Sequence, residues 1–130
     1  MSHVLVVDDE GDSREFVARF LDRSGHHVTS AHDGRDALAR LLEGTPDAVV
    51  LDVRMPRMDG IDLLAVMRSY LRLEKIPVII LSAHATADEV RQLRDLGVQQ
   101  IFHKARFPLP DLAKAIDDVA GLHAPSADVH

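Results

Sequence analysis

Short apolar runs alternate with longer amphipathic segments along this chain, and the two patterns predict five strands and five helices. The strand candidates cover residues 4–7, 28–31, 48–51, 77–81 and 98–102. The first, third and fourth are continuously apolar and rich in β-branched residues, which is typical of strands covered on both faces in a parallel sheet. The second and fifth are more polar, which favours positions at the edges of the sheet.

The amphipathic segments carry apolar residues at helical spacing and are bounded by start and stop signals. Gly25 and Gly97 follow two of the segments in the position that often ends a helix. Thr86 and Glu89 form a capping-box pattern at the start of the fourth helix, and Pro110 lies near the start of the fifth. The residues expected to face the sheet are Phe16, Val17, Phe20, Leu21, Leu38, Leu41, Leu42, Ile61, Leu64, Met67, Leu112, Ile116 and Val119.

Strict alternation of strand and helix predicts an α/β fold with right-handed crossovers. The polar second and fifth strands favour a doubly wound, five-stranded parallel sheet of order 2-1-3-4-5, flanked by five helices in the flavodoxin-like arrangement. A chain of 130 residues suffices for one such domain, which we expect to cover residues 1–122, with residues 123–130 as a flexible tail or linker. Three charged residues near the third helix are expected to be solvated: Arg68, Arg72 and Lys75.

Composition excludes several classes of function. The formal net charge of −6 argues against nucleic acid as a partner of this domain, because phosphate backbones require a basic face. The absence of cysteine excludes disulfides, thiol nucleophiles and thiolate metal sites. No segment approaches the length of a membrane span, and the N-terminal apolar run lacks the features of a signal peptide. We therefore expect a cytoplasmic protein without a membrane partner.

Polar side chains follow all five predicted strands, but His32 and Asp33, after the second, are expected to lie away from the crevice because that strand is at an edge. Asp8 and Asp9 follow the first strand, Asp52 the third, Ser82 the fourth and Lys104 the fifth. Because ligands of open parallel sheets bind beyond the carboxyl ends of the strands, these side chains are expected to converge. Two like charges about 4 Å apart repel by roughly 4 kcal/mol at an effective dielectric near 20, so three carboxylates predict a bound cation such as Mg²⁺. With a lysine and a serine, the set predicts a phosphoryl-binding site in which a carboxylate can act as nucleophile.

Five segments of the chain resemble the receiver domain of two-component response regulators, and the resemblance spans residues 3–121. The matching segments are residues 4–10 (VLVVDDE), 32–38 (HDGRDAL), 51–60 (LDVRMPRMDG), 77–83 (PVIILSA) and Lys104. The Asp-x-x-Met-Pro-x-Met-Asp-Gly stretch is the most specific of them. The intervals of 30 residues from Asp52 to Ser82 and of 22 residues from Ser82 to Lys104 are also similar to those of the family.

The resemblance implies a function for this site. Asp52 would accept a phosphoryl group from a histidine kinase or a phosphotransfer protein and relay the signal by conformational change. Asp9, Asp52 and the main-chain carbonyl of Arg54 would bind Mg²⁺ directly, while Asp8 would hold it through water. A downstream protein or an output domain would receive the signal. Two further residues are implied to contact the phosphoryl group: Ser82 and Lys104.

The chain departs from the family pattern around the fifth strand. Lys104 is followed by Ala105, where the family usually has a proline joined by a cis peptide bond. A cis bond before alanine would cost about 2.5–4 kcal/mol, so a trans bond and a reshaped, longer loop over residues 106–110 are predicted. The family's switch aromatic normally lies three residues before the lysine. This chain has Ile101 there, with Phe102 beside it, so the identity of the switch residue stays open.

Two alternatives to the receiver interpretation also stay open. One is a Mg²⁺-dependent phosphohydrolase, although Arg54 stands where enzymes of the haloacid dehalogenase type carry a second aspartate. The other is a receiver-like interaction module that works independently of phosphorylation, which Ala105 and Ile101 motivate. We expect a phosphoacceptor with at most weak self-catalysed chemistry. Within it, Arg54 and His84 either tune phosphoryl hydrolysis at the entrance or are ordinary exposed loop residues.

Overall fold

A computed structural model describes residues 2–104 and 109–123 of the chain. It contains a five-stranded parallel sheet in the order β2-β1-β3-β4-β5, as the alternating pattern predicts. The strands are β1 (His3–Val7), β2 (His27–Ala31), β3 (Ala48–Leu51), β4 (Val78–Ser82) and β5 (Gln100–His103). The helices are α1 (Gly11–Arg23), α2 (Gly34–Glu43), α3 (Gly60–Ser69), α4 (Ala87–Asp95) and α5 (Leu109–His123). The predicted α/β fold class and strand order are confirmed.

Helices cover both faces of the sheet, which gives the domain two apolar cores. On one face α2, α3 and α4 pack against the sheet through residues such as Leu41, Leu64 and Leu93. On the other face α1 and α5 pack through residues such as Leu21 and Ile116. The three central strands are buried on both sides, which explains why their sequences are continuously apolar. The partly exposed strands β2 and β5 lie at the edges.

Some of the residues predicted to face the sheet do not lie in the core. Phe16 in α1 is 58% exposed and Leu42 in α2 is 44% exposed, because each lies at the margin of its helix's apolar stripe. Strand β5 begins at Gln100, two residues later than predicted, because Val98 still follows the turn at Gly97 and packs as a loop residue. The capping box of Thr86 and Glu89 is confirmed.

The prediction that Arg68 is merely solvated is wrong. Its guanidinium is partly buried and donates hydrogen bonds to the carbonyls of Leu96 (2.7 Å), Ile76 (2.9 Å) and Glu74 (3.0 Å). It therefore ties the end of α3 to the turns before β4 and after α4. Arg72 and Lys75 are exposed, as predicted.

Two expectations fall outside the described residues. The trans bond before Ala105 with the reshaped loop is one, and the flexible tail is the other, apart from His123, which ends α5. Within residues 2–104 and 109–123, no helix is both long and apolar enough to cross a membrane.

Candidate functional site

Backbone hydrogen bonds fix the site residues at the carboxyl ends of the strands. Asp8 donates its N–H to Ala31 O (3.1 Å), and Asp52 donates its N–H to Val7 O (3.0 Å). These bonds continue the parallel ladder one residue past each strand, so the two aspartates leave the sheet side by side. The point between β1 and β3 is also where the strand order reverses, which is the usual ligand site of such sheets.

Three carboxylates meet at this point. Oxygen atoms of Asp8, Asp9 and Asp52 all lie within 4.8 Å of one another. Asp8 and Asp52 are buried, at 4% and 6% exposure, whereas Asp9 is exposed. Ionising two buried acids beside a third costs free energy unless a positive charge lies among them. The arrangement therefore needs cationic partners, and one is present among the described residues.

That cation is Lys104, at the end of β5. Its Nζ lies 2.7 Å from Asp8 Oδ2, 3.4 Å from Asp52 Oδ2 and 3.9 Å from Glu10 Oε1. Its own backbone N–H is fixed by a 2.8 Å bond to Ser82 O. Burial by itself would lower the pKa of the Lys104 ammonium. The hydrogen bond to Asp8 and the charges of Asp52 and Asp8 outweigh that effect and raise the pKa above its ordinary value.

The carboxyl group of Asp52 is hard to ionise despite this lysine. Its pKa is raised to about 6: burial is the largest cause, the charge of Lys104 opposes it, and the charge of Asp8 adds to it. A hydrogen bond from the Arg54 backbone also favours the carboxylate. One ammonium thus does not fully compensate the acidic cluster, and a further cation would lower the pKa of Asp52.

The donor set fits Mg²⁺ by its chemistry. It consists of carboxylate oxygens, which a small hard cation prefers, and one of the three carboxylates is exposed and open to water. Asp9 and Asp52 offer oxygens for direct binding. Asp8 Oδ2 is engaged by Lys104 and its Oδ1 accepts the Glu10 N–H at 3.0 Å, which suits a more indirect role.

Ser82 is the last residue of β4, and His84 lies two residues beyond it. Ser82 is buried at 3% exposure, and its hydroxyl donates to the carbonyl of His84 at 3.1 Å. The hydroxyl therefore holds the start of the β4–α4 loop in the described state, while the side chain of His84 is exposed. The strand that Ser82 ends is adjacent to β3, which Asp52 directly follows.

Ile101 and Phe102, the two candidate switch positions, point to opposite faces of the sheet. Ile101 packs partly buried on the face of α2, α3 and α4, and Phe102 packs on the face of α1 and α5. Successive residues of a strand alternate between faces, so Phe102 cannot replace an aromatic residue at position 101.

The loop from β3 to α3 is held by two ion pairs that sequence reasoning missed. Arg54 donates to Glu89 Oε1 in α4 at 2.8 Å, and Arg57 donates to Asp33 Oδ2 at the start of α2 at 2.8 Å. The sequence provides no spacing signal for either pair, since their partners lie 35 and 24 residues apart. Asp33 caps the start of α2 and contacts the loop through Arg57.

The comparisons with known proteins agree with this geometry. The family described as the response regulator receiver domain matches residues 4–117. Response regulator MprA of Mycolicibacterium vanbaalenii is 38% identical over 84% of this chain, which corresponds to 46% of that protein. A gliding motility regulatory protein of Myxococcus xanthus is 35% identical over 88% of this chain, but only 15% of its own length.

Solved structures show the same architecture. The chemotaxis protein CheY4 of Vibrio cholerae matches with a TM-score of 0.83 and 28% identity, over 92% of this chain and 98% of that one. The receiver domain of Francisella response regulator 1452 matches with a TM-score of 0.84 and 30% identity, over 95% of this chain and all of that one. The chain belongs to the response regulator receiver domain family of two-component signalling.

Proposed function

We propose that this domain receives a phosphoryl group on Asp52 in a Mg²⁺-dependent reaction and relays it as a change in its surface. The observation that carries the proposal is the meeting of Asp8, Asp9 and Asp52 with Lys104 at the strand ends. Three carboxylates with one ammonium leave net negative charge, which a divalent cation would neutralise so that an anionic phosphoryl group could approach Asp52. The donor would be a histidine kinase or a phosphotransfer protein, the partners of this family.

The chain's own residues supply the nucleophile and its surroundings. An Asp52 oxygen attacks phosphorus while the bond from phosphorus to the donor's imidazole nitrogen breaks, and the electron pair of that bond returns to the donor. Lys104 holds its ammonium 3.4 Å from the attacking carboxylate and can follow the negative charge onto the phosphoryl oxygens. Mg²⁺, when bound, supplies further neutralisation of those oxygens.

The signal would leave through the loop after β4. The hydroxyl of Ser82 now donates to the carbonyl of His84, and a phosphoryl oxygen would compete for that proton. Loss of the Ser82–His84 bond would free the start of the loop that leads to α4. A pre-existing equilibrium between loop positions would shift, and the surface of α4, β5 and α5 would change with it.

The partner of that surface is a proposal about a larger context. The chain spans 46% of MprA and 15% of the gliding motility protein, so those proteins contain segments beyond the matched part. We propose residues 1–122 as the receiver unit, with residues 123–130 leading out of it. The output would be either an attached domain or a separate downstream protein, in the cytoplasm, without direct contact of this acidic domain with nucleic acid or membrane.

The test is Mg²⁺-dependent uptake of one phosphoryl group from acetyl phosphate, followed by intact mass spectrometry. We expect a single addition that EDTA prevents, and we expect reductive trapping of the acyl phosphate to map it to Asp52. An addition mapped elsewhere, or no addition at all, would refute the proposal. The latter would favour a phosphorylation-independent module. Turnover of an aryl phosphate would instead favour a phosphohydrolase.

Arg54 is proposed to tune the lifetime of the phosphoryl group. Its backbone contacts the Asp52 carboxylate, and its guanidinium is held across the loop by Glu89. Arg54→Ala removes the ion pair with Glu89, and an exposed ion pair contributes up to about 1 kcal/mol. Loss of the phosphoryl group should therefore become roughly threefold faster. The measurement is the decay of the phosphorylated protein, followed by intact mass, after the donor is removed.

The matched control is Arg72→Ala, which changes an exposed arginine at the opposite end of the sheet. Equal decay in both variants would contradict a role for Arg54. The same assay on His84→Ala checks the second candidate position.

A further inference from the structure

The loop that carries Asp52 contains a residue in an unusual backbone conformation. Arg57 has a φ of +67°, in the left-handed region that side chains with a Cβ rarely adopt. A glycine would adopt this conformation without steric cost, and asparagine tolerates it well. Such conformations cost about 1–3 kcal/mol and persist where surrounding contacts hold them. The contacts of Arg57 therefore indicate what fixes this loop.

The side chain of Arg57 is bound to a buried carboxylate. Its Nη1 donates to Asp33 Oδ2 at 2.8 Å, and Asp33 is only 3% exposed. The other oxygen of Asp33 accepts the backbone N–H of Asp36 at 2.7 Å and so caps α2. The pKa of Asp33 lies below its ordinary value, first because of the Asp36 N–H and, against the effect of burial, because of the Arg57 guanidinium. Asp33 is thus a fixed anion that belongs to α2.

A second contact joins the same loop to the same helix. Gly34, the first residue of α2, donates its N–H to Met58 O at 3.2 Å. A Cβ on Gly34 would lie 2.3 Å from that oxygen, so the loop backbone rests directly on the helix start. Residues 57 and 58 are therefore held to α2 by one ion pair and one backbone bond.

We infer that Asp33 and Arg57 are positioning residues for the cation site, acting together to fix the loop that presents Asp52 and the carbonyl of Arg54. The inference deepens the proposed function and rests on its Mg²⁺ site. Neither residue contacts the proposed ligands. Their effect would be geometric, because Mg²⁺ requires a nearly ideal octahedron of oxygens at about 2.0–2.1 Å and tolerates little displacement.

The test measures Mg²⁺ affinity directly, in the absence of any phosphodonor. The chain has no tryptophan, so the probe is the shift of the backbone amide NMR signals of residues 52–54 during a MgCl₂ titration. Asp33→Asn retains an oxygen that caps α2, and Arg57→Asn retains a residue suited to the left-handed region.

We expect each variant to weaken Mg²⁺ binding by roughly three- to tenfold, at or below the lower end of the loss found when direct partners of metal ligands are removed. The double variant should bind Mg²⁺ at least as tightly as whichever single variant binds it less tightly, because either substitution already breaks the Asp33–Arg57 pair. The two substitutions change charge in opposite senses. Through space, loss of the Arg57 cation would strengthen Mg²⁺ binding, so weaker binding by Arg57→Asn supports a geometric role.

Three outcomes would overturn the inference or its basis, and they are distinguishable. Unchanged or tighter binding by Arg57→Asn, beside a parent chain that binds Mg²⁺, would refute the positioning role alone. Equal weakening by Arg40→Gln, a cation of α2 paired with Asp36 and not with the loop, would also refute it. No response of the parent chain to Mg²⁺ would refute the cation site of the proposed function itself. Hydrogen exchange at the Gly34 amide, which needs no metal, should be faster in Asp33→Asn if the pair holds the loop.

Discussion

Asp52→Asn should abolish phosphoryl uptake from acetyl phosphate completely, because the amide that replaces the carboxylate is not a nucleophile. The side chain is nearly isosteric with the original and lies at the same buried strand end, so the fold should persist. Intact mass after incubation with acetyl phosphate and Mg²⁺ measures the loss. Uptake of one phosphoryl group by the variant at the parent's rate would show that another residue is the acceptor.

The matched control is Asp59→Asn, in the same loop. Asp59 caps α3 by accepting the Asp62 N–H at 2.9 Å, and asparagine caps helices about as well as aspartate. This control removes one negative charge from the loop without touching the cluster of carboxylates. We expect it to take up phosphoryl groups at nearly the rate of the parent chain, which would assign the loss in Asp52→Asn to the nucleophile.

The same Asp52→Asn variant should change how stability depends on pH. The pKa of Asp52 is raised in the folded state to about 6, so without divalent cation the folded chain binds its proton more tightly than the unfolded chain does. The free energy of unfolding should therefore fall as pH rises from about 4, the ordinary pKa of an aspartate, to about 6. The variant should lack this fall in the free energy of unfolding, so it should be more stable than the parent at neutral pH. Mg²⁺ should stabilise the parent much more than the variant. Urea denaturation at several pH values, with and without Mg²⁺, measures both effects.

Gly60→Ala should destabilise the domain by about 3 kcal/mol, at the upper end of the range for overpacking. A Cβ on Gly60 would lie 2.3 Å from Asp52 O and 2.9 Å from Val53 Cα. Backbone atoms cannot rotate away as a flexible side chain can, so either α3 or the strand end must move. Because the nearest of these atoms belongs to the acceptor residue, a displacement of about 1 Å should also slow phosphorylation by roughly a hundredfold. The midpoint of urea denaturation and the rate of uptake from acetyl phosphate are the two measurements.

Gly44→Ala is the control for this prediction. Gly44 follows α2 with an extended backbone at φ −175°, and nothing lies within 4 Å of the position of its Cβ. An alanine should therefore be neutral or stabilise the domain by up to about 1 kcal/mol, because it restricts the unfolded chain. A loss of stability in Gly60→Ala no larger than that in Gly44→Ala would show that the contact between α3 and the acceptor strand end is loose.

The sequence by itself determined the architecture and the residues that lie at the carboxyl ends of the strands. Apolar runs and helical spacing are local properties, and they predicted all ten elements of the described residues. Each strand begins and ends within two residues of its predicted bounds. The convergence of Asp8, Asp9, Asp52 and Lys104 followed from one rule, that parallel strands end at the same edge. A residue directly after a parallel strand must lie at that edge, so the sequence alone predicted these positions.

Only the tertiary structure decided which contacts fix the loops that follow the carboxyl ends of the strands. The pairs Arg57–Asp33 and Arg54–Glu89 join residues that are distant in sequence, and the first depends on a left-handed backbone at Arg57 that an arginine does not signal. Arg68 was misjudged for the same reason, since its partners are main-chain carbonyls of two turns. Periodicity reports which face of an element is buried. It carries no information on where a long charged side chain ends, because that depends on the path of the neighbouring loops in three dimensions.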